Sequence, residues 1–340
     1  MRINRVREFN VKHPTLTKAA AALITIVLLA ILLSQVSVAD VVTTLTSINP
    51  LYLVAGFFLY AFSYFFRALR FWILLDGELS LKDLFRVVCV HNMVNSVLPA
   101  RTGELSYVYL LKKVHQRSVG DGVATLVVAR MFDIVVIVIF FLLVLQFMGD
   151  TPSALVGFAW VGGITIVGVI TVLILLLYFG RTLFSGVKSL FEKYDVVRWN
   201  LGKYLLAKAE ETVDCLDRIK SPGLFKYVQV LLVSCGIWLS LYLLIYLLVI
   251  GMDISVGFLA ALFASTFAII STVLPVQGIG GFGTIEGAWT IGFMLVGLAK
   301  ADAISSGFIY HIVVILYFII LGFYGLLALK AQNIIPSHKQ

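Results

Sequence analysis

Apolar residues along this chain gather in runs of about 20, the length a helix needs to cross roughly 30 Å of hydrocarbon. Such runs fall at 18–39, 51–75, 122–148, 154–179, 224–250 and 303–329. Two further apolar regions, 81–113 and 255–299, are broken near their middles, the first at Pro99 and Gly103, the second at Pro275, Gly278, Gly280, Gly281 and Gly283. Proline removes a backbone donor and glycine has no Cβ, so neither region reads as one continuous helix. Segment 181–222 behaves differently. Its charged and apolar residues alternate at helical spacing until Ser221-Pro222-Gly223, which predicts an amphipathic helix lying as a basic linker on anionic headgroups.

Charge between the runs orients them. Segments 40–50, 149–153 and 251–254 carry no Lys or Arg, whereas 181–220 carries Arg181, Lys188, Lys193, Arg198, Lys203, Lys208, Arg218 and Lys220. The positive-inside rule therefore puts the first group outside and the second in the cytoplasm. Lys82 and Arg86 open the first broken region, and Lys112, Lys113 and Arg117 close it. One crossing cannot have both flanks cytoplasmic, but a hairpin that enters, turns near Pro99–Gly103 and returns can. By the same count the second broken region enters and leaves from outside, with Lys300 as the single contrary charge. Each half then reads span, span, re-entrant hairpin, span: 1–150 with hairpin 81–113, and 151–335 with linker 181–222 and hairpin 255–299. An odd number of spans per half inverts the second half relative to the first. Asn95-Ser-Val-Leu-Pro99 and Ser271-Thr-Val-Leu-Pro275 form a faint local repeat. The expected fold is an all-α polytopic membrane bundle, about six spans plus two hairpins, with eight plain spans as the alternative.

Composition agrees. The 340 residues are 61% hydrophobic and 13% charged, far from a soluble domain, and the net charge of +8 sits in inter-span clusters rather than in a nucleic-acid footprint. Arg2, Arg5, Arg7, Lys12 and Lys18 precede the first run, which is longer than a signal-peptide core and lacks a cleavage site; it reads as a retained helix with a cytoplasmic N-terminus. Lys330 and Lys339 place the C-terminus on the same side, so the protein is expected to be a multi-pass protein of the cell membrane. Cys89, Cys215 and Cys235 have no metal-site or disulfide spacing and read as small buried groups.

Ionisable residues inside apolar runs cost roughly 2.5–3.5 kcal/mol each, so they mark partners or wet cavities. Pro99 suits the first turn of a helix over 100–111, whose free N–H groups favour an anion. Arg101 could grip a phosphate in two places, and Glu104, three residues on, could orient it; together they suit a phosphate-bearing headgroup, or only each other. Asn92 and Asn95 extend that polar stripe, and His91 reads as a structural histidine. Arg130 and Asp133 are i, i+3 in one run and should pair, with Arg70–Asp133 and Glu104–Arg130 as candidate cross-helix pairs. Arg67 and Arg70 lie near a helix end and could snorkel, the commoner fate of such residues, with Arg70 also a candidate for the headgroup site. In the second hairpin Gly280, Gly281 and Gly283 allow close approach or an anion-binding nest. Glu286 either caps the next helix or lines the cavity as a proton or cation partner. Asp121-Gly122 to Arg130 is a poor match to lipid-head phosphotransferases, and no hydrolase or metalloenzyme signature occurs, so no catalytic residue, metal or cofactor is assigned.

Arg70-Phe-Trp72, Asn95…Leu98-Pro99-x-Arg101-x-Gly103-Glu104, Val128-x-Arg130-x-x-Asp133 and Leu274-Pro275…Gly280-Gly281-x-Gly283-x-x-Glu286 together resemble the family of the lysylphosphatidylglycerol synthase transmembrane region, also called the flippase-like or UPF0104 family. The likeness runs over about residues 15–330. It implies a membrane-embedded domain that binds or moves lipids, which in multidomain relatives translocates an aminoacylated phospholipid made by an attached soluble domain. Only about ten residues follow position 330, so transfer of lysine by this chain is not expected. Two departures stand out: Ala129 replaces a frequent Glu, and Gln277-Gly278 replaces a Pro-Gly turn. The expected function is binding and translocation of a phosphate-bearing lipid, phospholipid or polyprenyl-phosphate in type. Alternatives are a membrane partner presenting lipid to a separate transferase and an intramembrane lipid-modifying enzyme.

Overall fold

The computed structural model describes residues 38–147, 153–194, 200–220, 223–273 and 279–331, so most of the expected first span, 18–39, lies outside the described residues. Every described element is helical. The first part holds α1 (Val38–Ser47), α2 (Pro50–Leu74), α3 (Leu81–Val97), a three-ten turn (Pro99–Glu104), α4 (Leu105–His115) and α5 (Val119–Phe147). The second holds α6 (Ser153–Lys193), α7 (Asn200–Lys220), α8 (Leu224–Gly251), α9 (Phe258–Val273), a short three-ten turn (Ile279–Gly281), α10 (Thr284–Leu295) and α11 (Lys300–Ala331). Among the described residues, α2, α5, α8 and α11 are long and apolar enough to cross a membrane. They keep large apolar side chains such as Leu51, Phe58, Leu232 and Leu327 on their outer faces, as suits a surface in contact with lipid.

Local chemistry sets the helix ends. Asn49 caps α2 by accepting the Leu51 N–H at 2.9 Å, with Pro50 where a missing donor costs nothing. At the other end of α2, the Lys226 ammonium at the start of α8 meets Asp76 at 2.8 Å and the Leu74 carbonyl at 3.4 Å. Ser118 and Asp121 cap α5 reciprocally: the Asp121 N–H donates to Ser118 Oγ at 2.9 Å and the Ser118 N–H to Asp121 Oδ2 at 3.3 Å.

Both broken regions fold back on themselves. In the first, His91 Nδ1 lies 3.1 Å from Ser106 Oγ, and a Cβ on Gly103 would fall 2.4 Å from the Asn95 Cα. Residues 91 and 95 therefore face 106 and 103, an antiparallel pairing of α3 with α4 and the turn before it. In the second, a Cβ on Gly292 would fall 2.2 Å from the Ala264 carbonyl oxygen, so α9 and α10 touch backbone to backbone. The two tips meet each other. Across the molecule, α2 packs along α8, α3 along α11 and α5 against α9.

Two expectations change. The helix expected over 100–111 begins instead as a three-ten turn, with α4 starting at Leu105; the tighter winding seats Gly103 on the Val94–Asn95 backbone. The linker is not one helix over 181–222. The stretch to Lys193 continues α6, whose 41 residues reach about 60 Å at 1.5 Å per residue, because its helical periodicity carries on and glycine alone does not break it. The remainder, α7, docks on α5 instead of lying only on headgroups: Arg218 pairs with Asp121 at 2.7 Å, and Gly120 lies against the Glu211 backbone. Arg181 ties α6 to α7 through Asp214 at 2.8 Å and Asp217 at 2.9 Å. Cys215 is buried in this contact, and burial pushes its thiol up to about 11, consistent with a packing role.

Candidate functional site: a charged cavity at the hairpin tips

Helix α2 presents Tyr60, Ser63, Tyr64, Arg67 and Arg70 at i, i+3, i+4, i+7 and i+10, one polar stripe on a largely apolar helix. That stripe faces Asn92 and Asn95 at the end of α3, Arg130 on α5, Trp238 on α8, Gly280 and Gly281 at the second tip, and His311 on α11. Apart from Arg70, these residues line a cavity of about 130 Å³, where a single water needs about 10–15 Å³ in the same measure.

Asp133 is the anchor. It has no exposed surface and accepts from Arg70 Nη1 at 2.7 Å, Arg70 Nη2 at 3.3 Å, Trp238 Nε1 at 3.0 Å and Arg130 Nη1 at 3.0 Å. A fully buried carboxylate is tolerable only with such satisfaction. Arg130 also pairs with Glu104 at 3.1 Å, which ties the first hairpin tip to α5. Ser234 accepts from Arg70 at 3.1 Å. Arg67 lies over the Trp238 ring, 5.6 Å from its centroid, and has no carboxylate partner among the described residues. Among the described residues, three guanidiniums (Arg67, Arg70, Arg130) thus share two carboxylates within ion-pair distance (Asp133, Glu104), and Arg67 is the one left without a pair. Asn92 Nδ2 and Asn95 Oδ1 are buried without a partner among the described residues, and both residues line the cavity.

The three pairings suggested by the sequence, Arg70–Asp133, Arg130–Asp133 and Glu104–Arg130, all form. Asn95, Gly280 and Gly281 line the cavity beside Arg130. Gly103 closes the first hairpin and Pro99 opens its turn, while the side chains of Pro99 and Arg101 lie outside the described residues, as does the whole of 274–278. Gly283 and Glu286 cap α10, the Gly283 N–H donating to Glu286 Oε2 at 2.8 Å; the other oxygen, Oε1, meets His311 Nδ1 at 2.7 Å. His91 is buried and bonded to Ser106, as expected of a structural histidine.

The expectation that Arg67 and Arg70 snorkel is overturned. Arg70 is 1% exposed and Arg67 turns into the cavity, because Asp133 and Trp238 offer them a partner and a π-face within the bundle. Trp238 and His311 were not singled out from sequence. The available signals were the Ser234–Trp238 i, i+4 pair and a lone histidine in the middle of an apolar run. Among the described residues, no group of three or more His, Cys, Asp or Glu side chains is placed to hold a metal.

A sequence model of the family described as lysylphosphatidylglycerol synthase TM region matches residues 18–322, nearly the whole chain and every part of this cavity. The chain belongs to this family. It is also 31% identical over 137 residues to a UPF0104 membrane protein of Methanocaldococcus jannaschii. That match covers 39% of this chain and 56% of the relative's length. The charged cavity described above is thus a feature of a lysylphosphatidylglycerol synthase TM region protein, embedded among helices that suit a membrane.

Proposed function

We propose that this protein binds the phosphate of a lipid headgroup in the cavity and carries the lipid across the cell membrane, without chemical change to it. The observation that carries the reading is the surplus guanidinium. An unbalanced positive charge inside a membrane bundle costs several kcal/mol, and an anion entering beside Arg67 offsets that cost. Asn92 supplies a free donor for a phosphate oxygen, and Asn95 a free acceptor for a hydroxyl or ammonium on the headgroup. Arg101, at the first tip, is assigned to the same phosphate from sequence.

The packing pattern supports two inverted halves. Under inversion α2 corresponds to α8, α3 to α9 and α5 to α11. The contact of α3 with α11 then mirrors that of α9 with α5, and α2 with α8 lies on the axis. Hairpin arms of 17, 11, 16 and 12 residues are each shorter than the roughly 20 needed to span, which favours re-entrant hairpins over eight plain spans. Paired broken segments meeting at the centre are the arrangement in which transporters place a site near the midplane. Rocking of the halves about the tips would expose the cavity alternately, with both termini cytoplasmic.

Mass spectrometry of lipids retained through gentle purification tests the binding step. A phosphate-bearing lipid should accompany the wild-type protein and be depleted in Arg67→Ala. Equal retention by both would remove Arg67 from the site. Retention without flip would shift the reading to a lipid-presenting partner of a separate transferase.

A further inference from the structure

Glu286 and His311 form a buried pair that headgroup binding does not use. Their exposures are 0% and 2%, and they sit where the second hairpin tip meets α11. His311 Nδ1 is 2.7 Å from Glu286 Oε1, and His311 Nε2 is 3.0 Å from the Gly280 carbonyl oxygen. A carbonyl oxygen only accepts, so Nε2 carries a hydrogen. If Nδ1 were then bare and Glu286 ionised, two sets of lone pairs would oppose each other at 2.7 Å. The contact requires one more proton, held either as imidazolium against carboxylate or as carboxylic acid against imidazole. Both descriptions contain the same number of protons, so the pair binds it as a unit.

Removing that proton breaks one contact. The neutral ring can place its single hydrogen on Nδ1 and keep Glu286, but Nε2 then turns a lone pair toward the Gly280 carbonyl. Glu286 remains fixed by the Gly283 N–H, so Gly280 is the partner that lets go. Gly280 and Gly281, at φ of 65° and 80°, form a turn in the left-handed region that glycine adopts without strain, and the Phe282 ring centroid lies 4.6 Å from that of His311.

The geometry points to Glu286 and His311 as a one-proton site that latches the second hairpin tip: proton bound, Gly280 is held on α11; proton lost, the tip is released. His311 and Gly280 both line the cavity, so the proton leaves to water there. The charged or titratable groups lining that space are Tyr60, Tyr64 and Arg67 from α2, Arg130 from α5 and Tyr310 from α11; α3 contributes the neutral Asn92, Asn95 and Ser96.

Hydrogen–deuterium exchange of the tip tests the latch in the full-length protein in lipid nanodiscs, followed from about pH 5 to about pH 9. After division by the intrinsic chemical rate, wild-type amides at 279–283 should exchange about tenfold faster or more at the alkaline end, the loss of one hydrogen bond's worth of local stability. Glu286→Gln should stay slow throughout, because its amide oxygen accepts the Gly283 N–H while its NH₂ donates to Nδ1 with no proton required. His311→Gln should be fast throughout. A flat corrected profile in wild type, or a wild-type step surviving in Glu286→Gln, overturns the latch. The wild-type profile decides even if a variant does not fold. The readout needs no transport, so a protein that moves no lipid can still show the step, and a flat profile beside active flip removes the latch alone.

Discussion

Arg67 and Arg70 are three residues apart on α2 and have different tasks. Arg70 is bound to Asp133 on both of its terminal nitrogens, so Arg70→Ala should strip the buried carboxylate of its main partner and cost about 3–5 kcal/mol. A clear drop in Tm on thermal unfolding in detergent is expected, largely recovered when Arg70→Met is combined with Asp133→Leu. If the double variant is no more stable than Arg70→Ala, the pair is not the source of the loss. Arg67 meets no carboxylate among the described residues and its charge is unbalanced, so Arg67→Ala should not lower Tm and should raise it if anything. Its headgroup affinity should nevertheless fall about ten- to hundredfold, the worth of one charge-assisted hydrogen bond of roughly 1.5–3 kcal/mol. The ion pairs were legible in the sequence because an ionisable residue in an apolar run has to find a partner and few were on offer. Arg67 was not, since a cation near a helix end usually snorkels, and only the fold brings Trp238 beneath it. His311 was not either: its partner Glu286 lies 25 residues away and already had a sufficient explanation as a cap.

Among the elements, the two hairpins depend on missing side chains. A methyl on Gly292 would meet the Ala264 carbonyl, which is backbone and cannot rotate away, so Gly292→Ala should part α9 from α10 and cost roughly 1–3 kcal/mol. Gly287, on the same helix, has nothing within 4 Å of its would-be Cβ. Gly287→Ala should therefore gain roughly 0.5–1 kcal/mol of helical stability. Equal effects of the two substitutions on Tm would contradict the close approach. The breaks at Pro99 and near Gly280 were legible because proline and glycine change what the backbone can do. The extension of α6 to Lys193 and the docking of α7 on α5 were not, because a change from apolar to charged residues alters a helix's surroundings without ending it. The match of Arg218 to Asp121 spans 97 residues, which no local pattern encodes.

At the scale of the whole molecule, the proposed transport needs a sidedness and a motion. With native cysteines removed, a cysteine at the exposed Asp253 should react with a membrane-impermeant reagent applied outside intact cells, and one at the exposed Tyr194 only after permeabilisation. Labelling of both from one side would refute the inverted arrangement. Charge between the apolar runs was enough to suggest that sidedness, whereas the meeting of the two tips over one cavity needed three dimensions, since the residues lining it come from seven helices and the second tip. Lipid transport is tested most directly by a flip assay in sealed liposomes holding the purified protein and a fluorescent phosphate-bearing lipid. Flip should be faster than in protein-free liposomes, and lost in Arg67→Ala without a fall in its Tm. Flip no faster than in protein-free liposomes for phospholipid and polyprenyl-phosphate probes alike, or undiminished flip in Arg67→Ala, would contradict it.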